Sequence, residues 1–440
     1  MNMTISQLSR ESIGYHALDR MEPVHFATSF LLCLYPRYRR LEWLNKSINP
    51  KAAEKRPGDE YVAENLYPIL KKSDLLSELV SIEDFKTLRN HLSATFSNDK
   101  PGAASAAFQP YSTFGCDYSA PTLSYLSNLS KRHGNSGAFV WLVLNHSETG
   151  RQFLKLAQEI AMNANGPEAT LGSPLLEPDE FDWTSQAEEL CGNPSLSKLT
   201  KASHLMELQT ESLLLLAQNI QARPSPCAVR KLIIGVGSWL LVYQIRHIVD
   251  ADESIFFSDL SGEIRPRIRT QAMACYARQV GLFGRSLRLW LDMNAHALDT
   301  EEIILLFEEK EAKTTKDLED HFRDFSQRIG WVQPRSANAK KFFRAVPDTM
   351  KVLLLSILKP GEIITMEEVA ERLRCHWRLI FGLLPKDHDI LRKHGYSPLD
   401  EDADLRANRE GFLQLAVSLG FAWEPSDGLV YFSLTPDQII

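Results

Sequence analysis

Three groups of residues in this chain have types and spacing that suit chemistry. The first is "EEKEAK", which holds Glu308-Glu309-Lys310 and Glu311-Ala312-Lys313. An Asp joined to a Glu-x-Lys on a β-hairpin holds Mg²⁺ and directs a lysine at a phosphodiester. Here the stretch reads as a charged helix whose neighbours pair at i,i+3 and i,i+4. The acidic loop "PDEFDW" at 178–183 is not followed by a Glu-x-Lys. The second group is Cys375-His376, a soft-ligand pair with no third or fourth ligand nearby in sequence. No phosphate loop GxxxxGK[ST], dinucleotide GxGxxG, nucleophile elbow GxSxG or HExxH is present. "GVG" at 235–237 lies in an apolar helix and reads as a site of close packing. These residues define no catalytic site, no metal and no cofactor, although a site assembled from scattered residues leaves no such motif.

The third group is basic, and its chemistry is the binding of phosphate or of an acidic surface. Between Arg265 and Trp290 lie Arg265, Arg267, Arg269, Arg278, Arg285 and Arg288, with no acid. Separations of eleven (Arg267 to Arg278) and seven (Arg278 to Arg285) keep three of them on one helical face. The competing reading is a network paired with some of the 56 acids of the chain. A second basic segment, "WVQPRSANAKKFFRAVPDTM", carries Arg335, Lys340, Lys341 and Arg344, and reads as a DNA-gripping arm or a solvated linker. A third, after Pro36, mixes Arg37, Tyr38, Arg39, Arg40 and Trp43, types that stack on bases and grip phosphates or that simply end a helix. The net charge of −7 excludes a protein that coats nucleic acid over its whole surface, so any such contact is local.

These residues need elements to position them. The 440 residues suffice for two or three domains. Hydrophobic residues at 44% and charged residues at 24% fit a soluble globular chain. Six dispersed cysteines without a CxxC read as reduced thiols. No basic n-region followed by an apolar core begins the sequence, so a signal peptide is not expected. The most apolar run, Leu232 to Ile245, has 14 residues against the roughly 20 of a bilayer span, and reads as a buried helix. A cytoplasmic protein without a membrane segment is the expectation.

Helical patterns dominate. Residues 1 to about 95 read as helical, with "VHFATSFLLCLY" ending near Tyr35 because Pro36 removes a donor. Long loops fall near 96–122 and 163–194. A single amphipathic helix is expected over 202–221, a short extended element at "SIFFSDLSG", and a helix from Arg267 to Trp290 interrupted near Gly281 and Gly284. Gly330 closes the helix before the basic segment. The expected domains are 1–200, helical with long loops; 201–330, helical with the arginine-rich helix; and 331–440, a basic linker and a compact unit.

That unit has its own pattern. "PDTMKVLLLSILK" is a helix; Thr365 with Glu368 three residues on is a capping box for the next; and "NREGFLQLAVSLG" is a third, closed by Gly420. An irregular insert, "LLPKDHDILRKHGYSPLDEDADL", separates the last two. Two short strands around "PSDG" make a hairpin. Helix, helix, helix, hairpin is the winged-helix arrangement. The expected fold class is therefore mainly α, multi-helix in its N-terminal and central regions, with a C-terminal winged-helix (α+β) domain. The helix before the wing often reads DNA. Over Asn408–Gly420, however, Arg409 is the one basic residue, and "DEDAD" lies just upstream. DNA contact here would fall to the basic segment and the first two helices, and a docking module for proteins fits equally well.

"GWVQPRSANAKKFFRAVPDTMKVLLLSILKPGEIITMEEVAERL" with "GFLQLAVSLGFAWEPSDGLVYF" resembles the tails of accessory proteins in bacterial anti-phage defence islands, and "FFSDLSGEIRPRIRTQAMACYAR" is similar to a segment of such proteins. Those proteins occur beside DNA methyltransferases or phosphorothioation enzymes, often with a motor-type ATPase. The resemblance implies a non-enzymatic DNA- or protein-binding subunit of a restriction-type complex. Its partners would be an ATPase, a methyltransferase or a nuclease, and duplex DNA. It carries no active site across. A stand-alone winged-helix transcription regulator with an N-terminal sensing domain is the alternative.

Overall fold

The computed structural model of the chain describes residues 5–17, 23–34, 136–162, 187–188, 191–222, 225, 227–248, 255–262, 266–294, 311–334, 339–382, 384–395, 403–423 and 429–434. Arg37, Arg39, Arg40, Arg265 and Arg335 lie outside these residues, as do Glu308 to Lys310, "PDEFDW" and the stretch 96–122 that the sequence reads as a loop. Within them the protein is mainly helical, with fourteen helices and a few strands of two or three residues.

The central element is a helix from Ala228 to Ile248 whose residues are buried without a break from Lys231 to Ile245. A helix apolar on all sides needs neighbours on all sides. By length and composition it could also cross a membrane, and 94% of its most apolar window lies buried inside the protein. The elements before it are α1 (Ile5–Ile13), α2 (Pro23–Leu32), α3 (Ser136–Asn145), α4 (Glu148–Met162), α5 (Leu196–Leu205) and α6 (Glu207–Ala222), which makes it α7. The single amphipathic helix expected over 202–221 is two. Met206 breaks it at φ −109°, ψ 20°, with its N–H shared between the carbonyls of Ala202 and Ser203. Its side chain is fully buried there, so burial at the break outweighs a continuous helix. The expected close packing at "GVG" is found at Gly235, where an added Cβ would lie 2.4 Å from Leu216 Cδ2 on α6.

Aromatic rings link the N-terminal helices to α7. Phe139 on α3 lies 5.5 Å from Tyr15 and 5.3 Å from Tyr243, and Trp239 stacks on Tyr243 at 5.8 Å. Gln244 Nε2 donates to the Tyr15 hydroxyl at 2.6 Å, and that hydroxyl lies 3.3 Å from His321 Nε2. His247 Nε2 lies 2.6 Å from the carbonyl of Ser12, which it reaches as the N–H donor.

After α7 come β1 (Phe256–Phe257), α8 (Pro266–Gly284), α9 (Ser286–Asn294) and α10 (Glu311–Arg328). Then follow β2 (Val332–Gln333), β3 (Phe342–Phe343), α11 (Pro347–Leu355), β4 (Ile363–Thr365), α12 (Met366–Trp377), β5 (Leu379–Ile380), α13 (Pro385–Lys393), α14 (Asp404–Ser418), β6 (Ala422–Trp423) and β7 (Tyr431–Ser433). The expected capping box at Thr365 and Glu368 is present at the start of α12. The expected hairpin is β6 with β7, antiparallel, and β4 joins it on the other side of β7. Ile364, Phe432 and Ala422 share one face of this sheet and are buried.

The extended element at "SIFFSDLSG" is β1, which pairs in parallel with β5, Phe256 opposite Leu379 and Phe257 opposite Ile380. The insert read as irregular contains α13, which starts on Pro385 at its first turn, where a missing N–H costs nothing. The basic segment after Gly330 folds back as β2 paired with β3, so it is neither a free arm nor a solvated linker over its described residues. Val332 and Phe343 are fully buried and paired. Buried apolar side chains form one cluster from Ile13 to Leu434. Polar bonds cross it: Trp331 Nε1 donates to Ser238 Oγ at 2.8 Å, and Asn219 Nδ2 donates to the carbonyls of Leu355 at 2.7 Å and Leu358 at 3.0 Å.

Candidate nucleic-acid interface

Helix α8 divides by face as its 100° step per residue requires. Ile268, Ala272, Cys275, Gln279, Val280 and Phe283 are buried. The opposite face carries Arg267, Thr270, Ala274, Ala277, Arg278, Gly281 and, one residue past the helix, Arg285. Arg267, Arg278 and Arg285 are exposed there, as the spacing predicts, and Arg288 is exposed on α9. The residues between them are small, and nothing lies within 4 Å of the place a Gly281 Cβ would take. The arginines therefore stand over a low helical surface that has no acid of its own, with Glu319 of α10 against Gly284 next to Arg285.

The arginines are not alike. Arg278 Nη1 donates to the carbonyl of His394 at 2.7 Å, and Arg285 Nε to the carbonyl of Gly281 at 3.2 Å. Arg288 lies 3.8 Å from Glu311 Oε1, a distant and solvent-screened pair. Arg269 is on the inner side. Its Nε meets Asp259 at 3.2 Å, its Nη2 donates to the Gly262 carbonyl at 2.8 Å, and its guanidinium lies over the Phe342 ring at 4.8 Å. Asp259 is fully buried and also accepts from the N–H of Ser261 at 3.0 Å and its hydroxyl at 2.7 Å. The competing reading of the arginine run thus holds for Arg269, which is paired with a buried acid and serves packing.

The second basic segment is divided as well. Lys340 is exposed. Lys341 donates to the Pro334 carbonyl at 2.6 Å, and loss of solvent lowers its pKa while Asp324 opposes the change. Arg344 is half-buried and its backbone N–H donates to Trp331 at 2.9 Å. Both side chains accompany the β2–β3 pair.

Helix α14 offers little to a base edge. Asn408, the residue type best suited to adenine, is fully buried. Its Nδ2 donates to the carbonyls of Ser258 at 3.0 Å and Phe381 at 2.8 Å, and its Oδ1 accepts from the N–H of Leu260 at 2.6 Å. Gly411 lies against the same segment, since a Cβ there would be 1.8 Å from the Leu260 carbonyl oxygen. One flank of α14 is thus covered by residues 258–261. Its outer side carries Arg406, Arg409, Glu410 and Gln414, and Arg409 lies 3.7 Å from Glu367.

The remaining chemistry-bearing residues are engaged in structure. Cys375 Sγ lies 3.4 Å from Glu371 Oε1, and burial raises its thiol pKa. His376 Nδ1 lies 2.7 Å from Ser212 Oγ. Arg374 holds the Glu371 carboxyl at a pKa of about 2. Glu311 to Lys313 form the first turn of α10. Among the described residues, no three His, Cys, Asp or Glu side chains gather as a metal site needs.

Two basic residues were not singled out from sequence. Arg392 and Lys393, exposed at the end of α13, adjoin the carbonyl that Arg278 holds. Their signal was available: basic residues followed by Gly395 are the ending of a helix. No protein-family model, no curated protein and no solved structure matches the chain.

Proposed function

We propose that the protein is a non-enzymatic DNA- and protein-binding subunit of a bacterial anti-phage defence complex of the restriction type, and that it meets DNA through the outer face of α8. The observation that carries this reading is the exposed row of Arg267, Arg278 and Arg285 over small residues on a helix that carries no acid. The resemblance of the C-terminal segment to defence-island accessory proteins supports the setting. Residues 331–440 are read as a winged helix. The strand order β4-β7-β6 around α11, α12 and α14 supports that reading, with β5 and α13 as an insertion. The internal role of Asn408 and the Arg409–Glu367 contact favour its use as a docking module for an ATPase, methyltransferase or nuclease partner over its use as a base reader.

The test is fluorescence anisotropy of a labelled duplex across salt concentrations. Replacing Arg278 and Arg285 by Ala should weaken binding for every sequence and reduce the log–log salt slope by about 2. Wild-type binding with both arginines gone would remove α8 from the interface.

A further inference from the structure

Resting on that reading, we infer that the ligand of this surface is double-stranded nucleic acid, held through its phosphates without base reading, and that Arg392 and Lys393 of α13 form the second half of the grip. Three observations lead there.

The first is a hydrogen bond between the two helices. Arg278 donates to the carbonyl of His394, the C-terminal cap of α13. The end of a helix carries partial negative charge, so a guanidinium there is held by both the hydrogen bond and the dipole. This exposed bond brings the end of α13 within reach of the α8 row. Arg392 and Lys393 are exposed in the last turn of α13, and Arg392 has Asp389 at 3.5 Å with both side chains mostly in solvent. Such an exposed pair yields readily to a phosphate.

The second observation is length. From Arg267 to Arg285 the row rises roughly 27 Å at 1.5 Å per residue. That exceeds the roughly 12 Å width of a major groove, so a duplex laid across the row offers phosphates from both walls of a groove. The third is composition. A single strand is held by aromatic platforms on which bases stack, and α8 and α13 expose no aromatic side chain among their described residues. Nor does the outer face of α8 present an amide for base edges, since Gln279 is buried and Gln271 is half-buried to one side. Arginines over Thr270, Ala274, Ala277 and Gly281 let a broad, rigid ligand approach closely and recognise only its charge.

The experiment compares four full-length proteins on one 20-base-pair labelled duplex: wild type, Arg278→Ala/Arg285→Ala, Arg392→Ala/Lys393→Ala, and Arg151→Ala/Lys155→Ala. The last removes the same charge from the exposed side of α4. The α13 variant should lose about 2 from the salt slope, narrowing the affinity change between 50 and 200 mM salt by roughly tenfold. The α4 variant should match wild type, and unlabelled single strand should compete weakly. Since all four of the α13 and α4 side chains are exposed, thermal melts should coincide with wild type. A wild-type result for the α13 variant, with binding lost in the α8 variant, would overturn the two-helix grip and leave the proposed function standing. No duplex binding by wild type would overturn the function itself. Equal competition by single strand would overturn the duplex assignment. Capture of polyglutamate but not DNA would make the surface a dock for an acidic protein instead.

Discussion

Asn408 satisfies three main-chain groups from two other segments of the chain, all on buried residues. Each buried group left without a partner costs about 1–3 kcal/mol. Asn408→Ala should therefore lower the unfolding free energy read from urea denaturation by an amount on the order of 3 kcal/mol and expose the Leu260 amide to hydrogen exchange. Unchanged exchange at Leu260 would refute the role. The histidines give a pH dependence at the same scale. Burial lowers His247 to a pKa of about 4, and burial with Arg10 nearby lowers His16 to about 4. Unfolded, both return to about 6.5 and bind protons that the folded protein refuses. Their stabilisation is complete above pH 6.5 and is lost as pH falls toward 4. His247 alone accounts for roughly 3 kcal/mol of that loss. Thermal melts taken from pH 7 to pH 5 should fall, and His247→Gln should flatten the decline. None of these partnerships was legible in the sequence. The main-chain partners of Asn408 lie 27 to 150 residues away, and Ser12 lies 235 from His247.

At the scale of elements, legibility followed the range of the interactions. The capping box at Thr365 and Glu368 is local, so its residue types announced it. The outer face of α8 followed from spacing alone. The break at Met206 did not, because tertiary burial decides it. Helix α13 was hidden by a charged composition that resembles a loop until Pro385 is recognised as a first-turn residue. Gly235 on α7 and Gly281 on α8 show how the same residue type means different things. Gly235→Val would push methyl groups into Leu216 and Leu213, which overpacks the α6–α7 contact and should cost about 1–3 kcal/mol. Gly281→Ala meets open space and should stabilise α8 by roughly 0.5–1 kcal/mol. Chemical denaturation of the two variants checks both signs.

For the whole molecule, the shared core and the bonds from Asn219 and Ser238 to the C-terminal segment bind the described parts together. Heating should give one cooperative transition, seen alike by tryptophan fluorescence and far-ultraviolet circular dichroism. Truncation after Gly330 should expose the α7 face that holds Ser238 and sharply increase proteolysis of the remaining helices. The contact between Tyr15 and His321 spans 306 residues of chain. On a ribosome adding about 5–20 residues per second, the first helix emerges roughly 15 to 60 s before the helix it must meet. For that interval its apolar side has no native neighbour on α10. Helix α1 therefore waits with that side uncovered, and this part of the core can close only after α10 has been synthesised.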